Sequence, residues 1–176
     1  MFSKAEFKLL AFLLRNSDKS MYGREIAKKS GISLGKVHQA LKKFVKQGFI
    51  AENRKGNQHF YSVDTKNVIV KQFKILFNLL DLKDIVKELS DYSKKIVLFG
   101  SCASGTDHSG SDIDLFVLAE DKSRVRAILE NKKTERKINP LILTGNEFYK
   151  IKSRDKALYY KIIEGMELYR GNKDGE

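Results

Sequence analysis

The run Lys95-Ile96-Val97-Leu98-Phe99-Gly100-Ser101, followed after nine residues by Ser111-Asp112-Ile113-Asp114-Leu115-Phe116-Val117-Leu118, decides the fold of the C-terminal half. Both segments are short, strongly apolar and rich in β-branched residues, which predicts two strands. Side chains alternate along a strand, so Asp112 and Asp114 are expected on one face, with Ile113, Leu115 and Val117 on the other. Two carboxylates two residues apart repel each other unless a cation lies between them, and hard oxygen ligands of this kind suit Mg²⁺. The glycine after the first strand lets backbone approach a phosphate closely, and the turn that follows presents N–H groups and a hydroxyl. Gly-Ser pairs and Asp-x-Asp triplets are each common. At this spacing, between two apolar strands, the combination is specific.

Phe99-Gly100-Ser101, Ala103, Gly105 and Ser111-Asp112-Ile113-Asp114-Leu115 closely resemble the signature of the DNA polymerase beta-like nucleotidyltransferase superfamily, and its minimal branch most of all. The resemblance implies that Gly100, Ser101 and Ser111 hold ATP or another nucleoside triphosphate by its phosphates. It also implies that Asp112 and Asp114 are the catalytic, Mg²⁺-binding pair in an attack on the α-phosphate that releases pyrophosphate. Two departures bear on activity. The branch carries arginines where this chain has Cys102 and Ser104. Its third carboxylate, on a later strand, aligns with Asn139 in the predicted strand 137–144, and an amide brings an oxygen but no charge. The enzymatic expectation is therefore nucleotidyl transfer from a triphosphate, with Asn139 weighing against it. Pro140 predicts an edge strand or bulge. Glu147 reads as the last member of a capping box, Thr144-Gly145-Asn146-Glu147. His108 reads as an exposed loop residue and Cys102 as a small filler. Glu135 is the remaining acid near the strand. A helix over 155–164 is expected to end at Gly165 in a C′ position, followed by a short strand from Met166 to Tyr169.

Outward from this motif, the N-terminal part is basic. The chain has 176 residues and a net charge of +12, and residues 1–66 hold 14 Lys and Arg against 5 Asp and Glu, a net of +9. That asymmetry points to a polyanion partner. Phe7, Leu10, Ala11 and Leu14 recur at helical spacing, residues 23–29 predict a second helix, and Ser30-Gly31-Ile32 a turn. A third helix is expected from an N-cap at Ser33 to about Gln47. Its apolar arc holds Leu34, Val37, Leu41, Phe44 and Val45. The opposite arc holds Gly35, Gln39, Lys42 and Lys46, flanked by Lys36, His38 and Lys43. Phe49-Ile50, a turn at Arg54-Lys55-Gly56-Asn57, and Gln58 to Val63 predict a two-stranded hairpin. Residues 5–63 thus resemble a winged helix-turn-helix domain of bacterial and archaeal transcription regulators. The resemblance implies double-stranded DNA contacts by Ser33, Lys36, His38, Gln39, Lys42, Lys43 and Lys46, and by Arg54, Lys55 and Asn57 on the wing. Gln39 suits an adenine edge, and the lysines suit phosphates.

Between the two parts, Ile69, Phe73, Leu76 and Leu80 form one helical stripe, with Val70 and Phe77 beside it, and a further helix is expected from about Leu82 to Tyr92. The stripe either joins the domains or serves a symmetric dimer, the usual state of such DNA readers. The expected division is 1–66 winged helix-turn-helix, 67–92 connecting or dimerisation helices, 93–171 nucleotidyltransferase-like domain, and 172–176 a frayed tail. The fold class is α+β in two domains: three helices plus a two-stranded wing, then a small α/β domain with a mixed sheet. No apolar run reaches the ~18–20 residues of a membrane span, and neither a span nor a signal peptide is expected. One cysteine excludes an internal disulfide. A cytoplasmic protein is expected. Three functions stay open. The chain is a DNA-binding transcription regulator with a Mg²⁺-dependent nucleotide site, passing a nucleoside monophosphate to a toxin-like protein acceptor in the manner of antitoxins. Alternatively, an inactive transferase domain serves as nucleotide sensor or partner platform. In the third, the enzyme acts on nucleic acid ends held by the winged helix.

Overall fold

The computed structural model describes residues 2–132 and 134–171; the expected frayed tail, 172–176, lies outside the described residues. The elements are α1 (Lys4–Arg15), β1 (Met21–Tyr22), α2 (Gly23–Ser30), α3 (Leu34–Lys46), β2 (Ile50–Lys55), β3 (Gln58–Val63), α4 (Val68–Ser90), β4 (Lys95–Phe99), α5 (Gly100–Ser104), β5 (Ile113–Leu118), α6 (Lys122–Glu130), β6 (Ile138–Leu143), α7 (Gly145–Arg154), α8 (Lys156–Ile163) and β7 (Met166–Arg170). They form two compact units, residues 1–77 with 105–109, and residues 78–104 with 110–176. No helix among the described residues is long and apolar enough to cross a membrane.

In the first unit, α1 begins with a capping box: the Ser3 hydroxyl accepts from the Glu6 N–H, and the Glu6 carboxylate accepts from the Ser3 N–H. Leu9, Leu10, Leu13 and Leu14 of α1, Ile26 of α2, and Val37, Leu41 and Phe44 of α3 make the core. Gly31 ends α2 in the left-handed region, at φ 67°, as the turn expectation requires. Leu34 is exposed rather than part of the apolar arc of α3, and Ala40 is buried in its place. The Ser33 hydroxyl makes no capping hydrogen bond. The wing hairpin pairs Ile50 with Val63 through Lys55 with Gln58. Unforeseen in the sequence, Met21 and Tyr22 add a third strand, pairing antiparallel with Tyr61 and Phe60.

Helix α4 runs unbroken from Val68 to Ser90, where two helices were expected. No Gly or Pro interrupts it, and the polar Asp81, Lys83 and Asp84 face outward while Leu82, Ile85 and Leu89 are buried. Its first half buries Val70 and Phe77. Of the expected stripe, Ile69, Leu76 and Leu80 are exposed, whereas Phe73 packs against Phe2 and Phe49. Residues 105–109 also belong to this unit. There the buried Lys74 ammonium donates to the Asp107 carbonyl and, at 3.0 Å, to the Ser17 hydroxyl, and lies 4.0 Å from the Asp107 carboxylate. Asp18 accepts from the Ser109 hydroxyl at 2.9 Å.

The second unit is built on a mixed sheet of order β6-β5-β4-β7, in which only β5 and β6 run parallel. Alternation gives the central strands β4 and β5 two buried faces. Ile96, Leu98, Ile113, Leu115 and Val117 pack with Leu82, Ile85 and Leu89 of α4 and with Val125, Ile128 and Leu129 of α6, a helix not foreseen. Val97, Phe99 and Phe116 pack on the other side with Ile162 of α8, Leu141 and Leu143 of β6, and Phe148 of α7. As Pro140 predicts, β6 is an edge strand.

Candidate functional site

Four strand ends meet at one end of the second unit's sheet. Asp114 pairs with Phe99 on one side and with Asn139 on the other, and Leu98 pairs with Met166. Asn139, Asp114, the Gly100 turn and the start of β7 therefore follow one another across that end. By alternation Asp114 and Asn139 share the face of Phe116, Leu118, Leu141 and Leu143, on which α8 packs.

Gly100 is fixed twice over. Its φ is +70°, and a Cβ built on it would lie 2.5 Å from Asp114 Oδ2. No other residue type both tolerates that backbone and leaves the carboxylate where it is. Ser101 follows it, half-buried at the start of α5, and the Ser104 hydroxyl donates back to the carbonyls of Gly100 and Ser101. Asp114 is half-buried and Asp112 exposed. Asp112 precedes β5, which starts at Ile113, so the expected strand from Ser111 is two residues shorter. A network unseen in the sequence holds this lead-in. Cys102, buried as expected, directs its Sγ to the Asp112 carbonyl at 3.4 Å, and its own carbonyl accepts from Asn78 Nδ2 at 2.9 Å. Arg136 Nη2 donates to Asn78 Oδ1 at 2.6 Å. The signal was faint: an asparagine inside an apolar helical run, and an arginine in an unpatterned loop.

The Asn139 side chain donates from Nδ2 to Asp114 Oδ1 at 2.9 Å. The strand register thus puts Asn139 directly beside Asp114, and its amide engages an oxygen of Asp114. Among the described residues, no three His, Cys, Asp or Glu side chains gather to hold a metal ion. Two carboxylates still fit Mg²⁺, which is commonly held by one or two acids together with substrate phosphates and water. Glu135 is exposed and lines a separate 180 Å³ cavity with Asp81, Thr134 and Arg136, away from Asn139. Glu147 closes the α7 capping box and pairs with Lys122 at 2.7 Å. The Lys122 ammonium, with the Thr144 N–H and hydroxyl, lowers its carboxyl to about 2. His108 is exposed. Gly165 does not take a left-handed C′ conformation; a Cβ there would meet Leu98 O and Val97 Cγ1 at 2.7 Å, so close approach to β4 explains it.

Lys161 and Glu164, at the end of α8, were not singled out in the sequence. They line a groove of about 520 Å³ with Gly100 and Ser104.

In the first unit, the α3 side chains of Lys36, His38, Gln39, Lys42 and Lys46 are exposed together, with Ser33 at the helix start. Lys43 is turned aside: it pairs with Glu6 at 2.9 Å and lies over the Phe2 ring. The His38 ring covers the start of α2, where a Gly23 Cβ would stand 3.0 Å from it. On the wing, Arg54 Nε donates to the Gly56 carbonyl, Lys55 lies over Phe60, and Asn57 is exposed. A groove of about 660 Å³ runs between α2, α3 and the wing. Tyr22 and Arg24, which the sequence pattern did not single out, line it with His38, Lys42 and Asn57.

Fold and site together define a two-part protein, a winged helix-turn-helix and a small mixed-sheet unit with a glycine turn beside paired aspartates. The chain belongs to the nucleotidyltransferase domain family, whose model matches residues 79–168. The winged helix-turn-helix DNA-binding model matches residues 2–51. A comparison with curated proteins gives no match. Among solved structures, the chain is similar to a variant of ZitR from Lactococcus lactis, with 25% identity, TM-score 0.40, and 51% of this chain and 61% of that chain covered. It is also similar to MepR, a transcription regulator of a Staphylococcus aureus multidrug efflux pump, with 15% identity, TM-score 0.41, and coverage of 51% and 67%. A homodimeric winged helix-turn-helix domain from Mycobacterium bovis gives 17% identity, TM-score 0.35, and coverage of 48% and 70%. The chain spans 61 to 70% of the length of these three structures.

Proposed function

We propose that this protein is a transcription regulator that binds double-stranded DNA through its winged helix and a Mg²⁺–nucleoside triphosphate through its second unit. The carrying observation is the Gly100 backbone set against the Asp114 carboxylate, which brings a phosphate-accepting turn and a metal-binding acid within one residue's width. In this reading Gly100, Ser101 and Ser111 hold phosphates, and Asp112 and Asp114 hold Mg²⁺. The ion, when bound, supplies charge neutralisation along the triphosphate. Asn139 favours binding over turnover, because its amide adds no charge and engages an Asp114 oxygen. On α3, Lys36, Lys42 and Lys46 neutralise phosphates and Gln39 reads a base edge, with Ser33, His38, Arg54, Lys55 and Asn57 alongside. Lys43, committed to Glu6, contributes less. A homodimer forms across the outer side of α4, where Ile69, Leu76 and Leu80 are exposed, while Phe73 packs inward on Phe2 and Phe49.

Transfer of a nucleoside monophosphate to a protein acceptor is the second reading, favoured by the retained pair Asp112 and Asp114. In it an acceptor hydroxyl attacks the α-phosphorus and pyrophosphate leaves, with the acceptor's proton passing to solvent. The experiment is a calorimetric titration of the full chain with ATP, with and without Mg²⁺, on wild type and on Asp112→Asn/Asp114→Asn. Metal-dependent binding that vanishes in the double variant, with duplex binding retained, is the expected result. No binding of any of the four common triphosphates to wild type overturns the nucleotide site. Loss of duplex binding in the double variant overturns the division of labour between the units. Pyrophosphate release from ATP distinguishes the second reading from the first.

A further inference from the structure

The groove beside Gly100 holds a cation that the site described so far does not use. Its walls are Gly100 and Ser104 of α5 on one side, Lys161 and Glu164 at the end of α8 on the other, with Gly165 and Met166 leading into β7. β4 lies between β5 and β7, and Gly100, whose Cβ position abuts the Asp114 carboxylate, also lines the groove. One strand spacing, about 4.8 Å, separates each neighbouring pair, so β5 to β7 spans about 10 Å, comparable to an extended triphosphate.

We propose that Lys161 binds the distal phosphates of the nucleoside triphosphate, an assignment that rests on the nucleotide site proposed above. Three observations carry it. The Lys161 side chain is exposed, and no hydrogen bond or ion pair engages it among the described residues. Its backbone is held on both sides: Ile162 is 1% exposed in the core, and Gly165 abuts the Leu98 carbonyl so closely that a Cβ would stand 2.7 Å away. The ammonium therefore swings on a fixed base. Finally, α5 is Gly-Ser-Cys-Ala-Ser and brings hydroxyls but no positive charge. A triphosphate neutralised only by one divalent ion keeps net negative charge, and Lys161 is the cation lining the groove that opens from the turn. Glu164 faces the same groove and opposes an anion there.

The test titrates the full chain with Mg²⁺ and ATP or AMP, comparing wild type with Lys161→Met, Lys161→Arg and Glu164→Gln. Lys161→Met is expected to weaken ATP about 10-fold, the usual loss for one charge-assisted hydrogen bond, and to leave AMP unchanged. Lys161→Arg keeps most of the affinity, and Glu164→Gln raises it. Lys161 is exposed, so its variants keep the wild-type melting temperature. Equal ATP affinity in wild type and Lys161→Met overturns the assignment, as does an equal loss for ATP and AMP. Aspartate-dependent ATP binding with an indifferent Lys161 removes this inference alone, whereas a wild type that binds no triphosphate removes the nucleotide site with it.

Discussion

Replacing Gly100 by alanine tests the geometry on which the nucleotide site depends. At φ +70° an L-residue costs about 1–2 kcal/mol relative to glycine. The new Cβ would overlap Asp114 Oδ2 at 2.5 Å, while the Asp114 Cγ at 3.4 Å is at ordinary contact distance. The overlap is thus confined to the tip of one side chain, and rotation of the carboxylate relieves it. That rotation disturbs the 2.9 Å hydrogen bond from Asn139, a further loss of about 1 kcal/mol. Together these give about 2–3 kcal/mol, a fall in melting temperature on the order of 10 °C for a unit of roughly a hundred residues. The functional loss is larger than the stability loss implies, because the rotated carboxylate no longer faces the proposed Mg²⁺ position. Scanning calorimetry and ATP titration of one preparation separate the two effects. A folded Gly100→Ala protein with wild-type affinity for Mg²⁺–ATP would refute the claim that the Gly100–Asp114 approach organises the site.

Two further perturbations address the first unit. Lys74→Met removes the cation beside the buried Asp107 and is expected to lower unfolding free energy by about 3 kcal/mol, with partial recovery in Lys74→Met/Asp107→Asn; denaturant titration checks it, and a loss under ~1 kcal/mol shows that Lys74 does not compensate a buried charge. Lys42→Ala/Lys46→Ala is expected to weaken duplex binding and reduce the slope of log K against log salt by about 2, as two phosphate contacts go; an unchanged slope by fluorescence anisotropy removes α3 from the DNA interface.

Most of the site was legible along the chain because its parts are local. Gly100 and Ser101 directly follow a strand, Asp112 and Asp114 lie two residues apart, and α3 carries its charged and apolar residues at helical spacing. What escaped was what distant segments build together. The two residues of β1 are too short for a periodic pattern and exist as a strand only because β3 lies beside them. Cys102 read as filler on its own, whereas its contact to the Asp112 carbonyl and its link through Asn78 to Arg136 join three segments far apart in sequence. Lys161 is one lysine among many until β7 returns beside β4 and brings the end of α8 to Gly100.

The sequence by itself determined most of the element types, the glycine turn after β4, the paired aspartates, and the concentration of positive charge in the first 66 residues, because each follows from composition or short-range periodicity. Only the tertiary structure decided that Asn139 stands next to Asp114, that α4 is a single helix with Phe73 packed inward while Ile69, Leu76 and Leu80 are exposed, and that residues 105–109 pack with the first unit around Lys74. The physical reason is that strand order, the side of a helix that finds cover, and the partner of a buried charge are set by packing among distant segments. The spacing of residues along the chain carries no record of which segment arrives.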